Sequence, residues 1–214
     1  MFESYKKAKQ LSPRMFENNF LEACSHVHFS VPILIFSSPI VYFIYRAIFI
    51  LGHSIVQTIG LLFVGLLIWM LTEYVLHRFL FHWEPQSPWG KQLHFVIHGV
   101  HHEHPSDATR LVFVPQLSIP LAFLFYGIFH LLFGPYWMAP LFAGFGIGYL
   151  TYDTMHYVLH HHQFSNRLLK KLQKHHLSHH FVDPSRAYGV SSPLFDIVFR
   201  TYPKRRRNVD KGFQ

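Results

Sequence analysis

The chain has 214 residues, of which half are hydrophobic and only 14% charged, and it carries 19 histidines with a formal charge of +8 when histidine is neutral. A chain of this length normally forms one domain, and a soluble domain seldom holds so much apolar material, 23 phenylalanines among it. Nucleic-acid binding is disfavoured, because the aromatic residues sit inside the apolar runs and not among the Lys and Arg; the single Cys24 excludes an internal disulfide and a zinc finger and reads as a packing residue.

In chain order, the first element is a charged, amphipathic stretch from Phe2 to Ser25, which does not resemble a cleaved signal peptide and suits the membrane surface. Four apolar segments come next: Val31 to Leu51, Ile55 to Leu76, Leu111 to Phe133 and Tyr136 to Leu159. Each has roughly the 20 residues that cross a hydrocarbon core about 30 Å thick. The turns Gly52-His53-Ser54 and Gly134-Pro135 are short and uncharged. The Lys and Arg concentrate from Lys6 to Arg14, from Lys170 to Lys174 and from Lys204 to Arg207, and the segment Arg78 to Arg110 carries more of them than the short turns do. By the positive-inside rule both termini and the Arg78 to Arg110 segment face the cytoplasm, where such clusters meet anionic lipid headgroups. The expected fold is therefore all-α and integral to the membrane, with four transmembrane helices in two hairpins. Its parts are an interfacial segment over 1–30, a membrane domain over 31–202 and a basic cytosolic tail over 203–214.

That topology brings four histidine clusters to one face of the membrane: His77-x4-His82, His98-x2-His101-His102, His156-x3-His160 and His176-x2-His179-His180. His156 and His160 share a helix face, as do His98 with His101 or His102, and His176 with His179 or His180. Each x2-His-His motif is thus expected to aim two or three imidazoles at a single point. His77 and His82, five apart, align less well and suggest that the helix ends or bends near Phe81. Ten imidazoles are too many for one zinc ion and about right for two metals with open positions.

Blander assignments apply to the other histidines. His26, His28, His53 and His130 read as hydrogen-bonded packing residues, while His94, His104, His161, His162 and His175 adjoin the clusters outside the spacing pattern. A metal carrier is the non-enzymatic alternative, but its ionisable groups belong at mid-membrane depth, and the middles of the second to fourth segments hold almost none.

Glu73-Tyr-Val-Leu-His-Arg-Phe-Leu-Phe-His82, His98-Gly-Val-His-His102 with Pro105, Asp107 and Arg110-Leu-Val, Tyr152-Asp-Thr-Met-His-Tyr-Val-Leu-His-His161, and Lys174-His-His-Leu-Ser-His-His180 with Gly189-Val-Ser-Ser and Phe195-Asp-Ile-Val-Phe form a specific set. From about Phe29 to Tyr202 the chain resembles the fatty acid hydroxylase and sterol desaturase superfamily, and within it the fatty acid 2-hydroxylase branch. The resemblance implies a four-span enzyme whose cytosolic helical cap covers a dinuclear metal centre, with His77, His82, His98, His101, His102, His156, His160, His176, His179 and His180 as ligands. It implies iron as the working metal, with zinc also able to occupy the site, and hydroxylation at C2 of a long acyl chain by O2 and two electrons. A sterol or carotenoid hydroxylase or desaturase of the same superfamily is the alternative.

Carboxylates are expected to orient metal-bound imidazoles, and Glu73 and Asp153 stand within a turn of His77 and His156. Tyr157 and Tyr152 are expected at the cavity mouth, facing substrate or water. Gly144 and Gly148 read as a close helix contact. Some relatives carry a fused cytochrome b5; here about 30 residues precede the first span, so a separate carrier such as cytochrome b5 or ferredoxin is expected to dock on Lys170, Lys171, Lys174 and Lys204 to Arg207. The membrane would be the endoplasmic reticulum in a eukaryote or the inner membrane in a bacterium.

Overall fold

A computed structural model describes residues 12–203, all of whose regular structure is helical. Residues 2–11 of the leading amphipathic stretch and the Lys204 to Arg207 run lie outside the described residues. The elements are α1 (Asn19–Cys24), α2 (Ser30–Tyr45), α3 (Ile55–Val75), α4 (Pro88–His94), α5 (Val100–Glu103), α6 (Pro115–His161), α7 (Arg167–Phe181) and α8 (Leu194–Val198). Three π-helical segments continue α2, α3 and α4: Arg46–Ile50, Leu76–Phe81 and Phe95–Gly99.

Three helices are long and apolar enough to cross a membrane: Ser30–Ile50, Ile55–Phe81 and Pro115–His161. Their outward faces are as apolar as their inner ones, with Val56 81% and Leu131 84% exposed, the pattern of helices solvated by lipid. The start of α3 is set by a capping box, in which Ser54 Oγ accepts from Gln57 N–H and Gln57 Oε1 accepts from Ser54 N–H. The third apolar segment becomes helical at Pro115 and not at Leu111, because Val114 is extended and proline favours the first helical turn.

The 47 residues of α6 would measure about 70 Å as one rod. Gly134 interrupts them with φ 67° and ψ 169°, a conformation open to glycine. The chain folds back there: the rings of Phe125 and Phe129 lie 4.8 and 5.1 Å from that of Phe145. The two short turns meet at one end of the bundle, where His53 Nε2 lies 3.1 Å from the carbonyl oxygen of Tyr136.

Helix α3 packs along the second half of α6 with no room for added atoms. A Cβ on Gly65 would stand 2.0 Å from Leu141 O, one on Gly144 2.1 Å from Leu62 O, and one on Gly148 2.5 Å from Trp69 Cβ. The G-x-x-x-G spacing is therefore a close helix contact. At the opposite end from the turns, residues 12–25 strap over the 107–112 loop. Asp107 accepts from Ser12 N–H and Oγ–H at 3.1 and 2.5 Å, and Arg110 donates to Pro13 O at 2.6 Å and to Glu22.

Candidate metal centre

Two π-helical segments shape this end of the bundle. Within Leu76–Phe81 the hydrogen bond closes five residues apart, His82 N–H donating to His77 O at 3.2 Å. The wider turn places residues i and i+5 on one face, so the awkward five-residue spacing becomes an aligned pair, and π-bulges of this kind gather at functional sites. His98 lies in the second such segment, Phe95–Gly99.

The ten boxed histidines assemble into two groups of five. His77, His82, His98, His102 and His179 form one; His101, His156, His160, His176 and His180 form the other; within each, one ring nitrogen per residue lies within 4.8 Å of all the others. The expectation that each x2-His-His motif aims two or three imidazoles at one point holds for two, His98 with His102 and His176 with His180, and fails for the third. His101 and His102 part into different groups, as do His179 and His180, because neighbouring residues on a helix diverge by about 100°. The motifs thus tie two adjacent sites together, with the His102 and His180 rings stacked 4.2 Å apart across the divide.

The donor set suits a cation. His77 Nδ1 lies 2.5 Å from Tyr188 O and His179 Nδ1 lies 2.7 Å from Arg186 O, so each Nδ1 carries the proton and each Nε2 carries a lone pair. Those Nε2 atoms face further imidazole nitrogens: His77 to His98 at 3.2 Å and His179 to His82 at 2.8 Å. In the other group His160 and His176 Nε2 are 2.7 Å apart, and His101 and His180 Nε2 3.0 Å. Burial, helped by the neighbouring imidazoles, holds His98, His101, His176 and His180 far below the ordinary histidine range, His82 at about 3 and His102 at about 2. The converging ring nitrogens of each group suit a metal ion.

The carboxylates act elsewhere than expected. Glu73 accepts from the Val190 and Ser191 amides at 2.6 and 2.9 Å and from the Ser191 hydroxyl. Asp153 accepts from Phe113 N–H at 3.1 Å and from the Tyr149 hydroxyl at 3.2 Å. Both thus hold backbone segments and not imidazole nitrogens. Tyr157 stacks on Phe29 at 4.5 Å and lines neither apolar cavity, whereas Tyr152, expected at a cavity mouth, is buried and lines both.

Spacing alone gives no role to Asp196, which lies in the string Phe195-Asp-Ile-Val-Phe. Asp196 accepts from the Tyr188 and Gly189 amides at 2.9 and 2.8 Å and meets His175 Nε2 at 3.0 Å. His53 and His26 bond to Tyr136 O and Thr109 Oγ1, apart from the metal centre.

An apolar cavity of about 400 Å³ runs between α2, α3 and both halves of α6. It ends at Phe81 and Tyr152, whose rings touch one histidine of each group: Phe81 to His98 at 5.2 Å and Tyr152 to His156 at 5.7 Å. A second cavity of about 230 Å³ reaches His98, His101 and His156 from beneath the strap, and Phe81, Phe113 and Tyr152 line both.

The family model for fatty acid hydroxylases matches residues 62–201, which hold every one of these histidines. The chain belongs to the fatty acid hydroxylase family. It is 40% identical to the dihydroceramide fatty acyl 2-hydroxylase FAH1 of Arabidopsis thaliana, over 92% of this chain and 82% of that one. The ceramide very long chain fatty acid hydroxylase SCS7 of Saccharomyces cerevisiae is 43% identical over 65% of this chain and 37% of its own length. A solved structure of full-length scs7p, in which the hydroxylase domain alone is visible, superposes with a TM-score of 0.85 at 36% identity, covering 92% of this chain and 74% of that one.

Proposed function

We propose that this protein is a membrane-bound, O2-dependent fatty acyl 2-hydroxylase acting on the acyl chain of a ceramide-type lipid. One observation carries the reading: an apolar cavity between lipid-facing helices ends on rings that touch both histidine groups. A long acyl chain fits such a cavity, and the names of the relatives point to dihydroceramide and ceramide substrates. The sterol and carotenoid alternative finds no comparable support in those relatives.

The ten histidines are the proposed ligands of two metal ions, iron for the working enzyme. Bound there, the metals would supply the redox chemistry by which O2, with two electrons from an external carrier, hydroxylates an unactivated C–H bond and leaves its second oxygen as water. The protein's own residues do the rest. Phe36, Phe43, Phe125 and Phe145 take the acyl tail out of water, which favours burial by about 0.8 kcal/mol per methylene. Tyr152 and Phe81 line the cavity where it meets the histidines and so position the chain beside them. The headgroup stays at the cytosolic cap beside the histidines, and the depth of the buried tail selects C2.

In the membrane, the fold-back at Gly134 divides α6 into two spans, giving four in two hairpins, with both termini and the histidine end cytosolic. Residues 31–202 make up the hydroxylase domain, between an interfacial segment and a basic tail. Arg167, Lys170, Lys171 and Lys174 on the exposed side of α7 suit an acidic electron carrier.

The test is to express the protein in cells that lack 2-hydroxylated lipids and to profile their ceramides by mass spectrometry. Ceramides with one added oxygen at acyl C2 are the expected product. An unchanged acyl profile with altered sterols would replace this reading with the alternative.

A further inference from the structure

The two histidine groups differ in how the protein holds the nitrogens that point away from the centre. In the first, His77 and His179 donate through Nδ1 to Tyr188 O and Arg186 O. Both carbonyls belong to one stretch, 186–191, which two buried carboxylates grip. Asp196 takes the Tyr188 and Gly189 amides, and Glu73 the Val190 and Ser191 amides. Ala187, between the two carbonyl-bearing residues, sits at φ 60°, a left-handed conformation that is unfavourable for an alanine. It is wholly buried and its N–H bonds to Thr201 O at 3.0 Å, so the surrounding structure enforces it. In the first group His102 Nε2 is buried with no hydrogen-bond partner among the described residues; in the second this holds for the Nδ1 atoms of His101, His176 and His180 and for both nitrogens of His156.

On the reading that each group holds a metal ion, we propose that the two positions are unequal: the group clamped through residues 186–191 by Asp196 retains its metal, and the group of His101, His156, His160, His176 and His180 exchanges its own. An acceptor on the far nitrogen fixes the tautomer and raises the basicity of a ligating imidazole, and losing it lowers metal affinity about 10- to 100-fold. Asp196 bonds to the backbone of the clamp and to His175, which is not one of the ten, so it is a positioning residue for one site alone.

The full chain, loaded with two Zn²⁺, is mixed with an excess of a chromophoric chelator and metal release is followed in time. Two phases of one zinc each are expected, separated at least about tenfold in rate, with the fast phase missing in a His156→Ala, His160→Ala variant. Asp196→Asn is expected to speed the slow phase about 10- to 100-fold and to leave the fast phase unchanged. A single phase releasing both ions overturns the proposal without any variant having to fold. It is equally overturned if the slow phase is the one lost with His156 and His160, or if Asp196→Asn speeds both phases alike, which is what general loosening would do. A chain that never takes up two Zn²⁺ removes the two-metal reading itself, and this inference with it.

Discussion

The carboxylate of Glu73 accepts the amide of Val190 at 2.6 Å across 117 residues of sequence. That bond joins the helix bearing His77 to the stretch whose Tyr188 carbonyl receives the His77 Nδ1 proton. Glu73→Ala would leave the Val190 and Ser191 amides without their acceptor, at about 1–3 kcal/mol for each buried donor. Glu73→Gln keeps one carbonyl oxygen and is expected to lose less. Thermal unfolding in detergent orders the three proteins as wild type, Gln, Ala; equal melting of all three would contradict this role.

Gly189 is the position in the clamp where a side chain has least room. A Cβ there would stand 2.1 Å from Ser192 O and 3.0 Å from Asp196 Oδ2. Gly189→Ala therefore forces the 186–191 stretch to shift, at a cost of about 1–3 kcal/mol, and is expected to lower both the melting temperature and the bound metal. Gly148→Ala, against Trp69 Cβ at 2.5 Å, should lower melting alone. Metal analysis of the two variants separates them, and equal metal loss in both would refute the distinction.

The acyl cavity should discriminate among chain lengths. Ala122 lines it. Ala122→Trp would fill space worth a few methylenes, each about 0.8 kcal/mol of burial. Turnover efficiency on the longest acyl chains is expected to fall roughly tenfold, with shorter chains spared. A uniform loss across all lengths would mean that the tail lies elsewhere.

The strap over the second cavity should respond to acid. Burial would raise Glu22, yet the Phe16 and Met15 amides, His26 and Arg110 bring it from 4.5 down to about 2. Asp107, opposed in the same way by burial, is held at about 2 by Ser12 and Thr109. Carboxyls depressed on folding stabilise the closed strap fully above their unfolded values, near 4 to 4.5, and lose that contribution as pH falls toward 2. Protection of residues 12–25 from hydrogen exchange, taken relative to the intrinsic rate at each pH, should hold from pH 7 to about 4.5 and fall below it. Opening already at pH 6 would assign the closure to other groups.

Much of the site was legible because helices turn spacing into position. Separations of four put His98 with His102, His156 with His160 and His176 with His180 on one face, and the apolar runs carried them to one end of the bundle. Spacing did not reveal that His101 and His102 serve different groups, since that depends on which helix faces each side. The His77 to His82 interval was misleading until the π-helical turn at Leu76–Phe81 aligned it. Glu73 and Asp153 looked like partners of adjacent imidazoles, but backbone amides at Val190 and Phe113, distant in sequence, claim them. Asp196 was silent in the sequence for the same reason, as its role exists only once residues 186–191 fold back on it.

The most direct test of the proposed function is a reconstituted assay with purified protein, a ceramide, an electron donor and ¹⁸O2. The wild type is expected to place one ¹⁸O at C2 of the acyl chain, and a His101→Ala, His179→Ala variant, which removes a proposed ligand from each group, to place none. Oxygen arriving from water, appearing at another carbon, or persisting in that variant would contradict 2-hydroxylation at this centre.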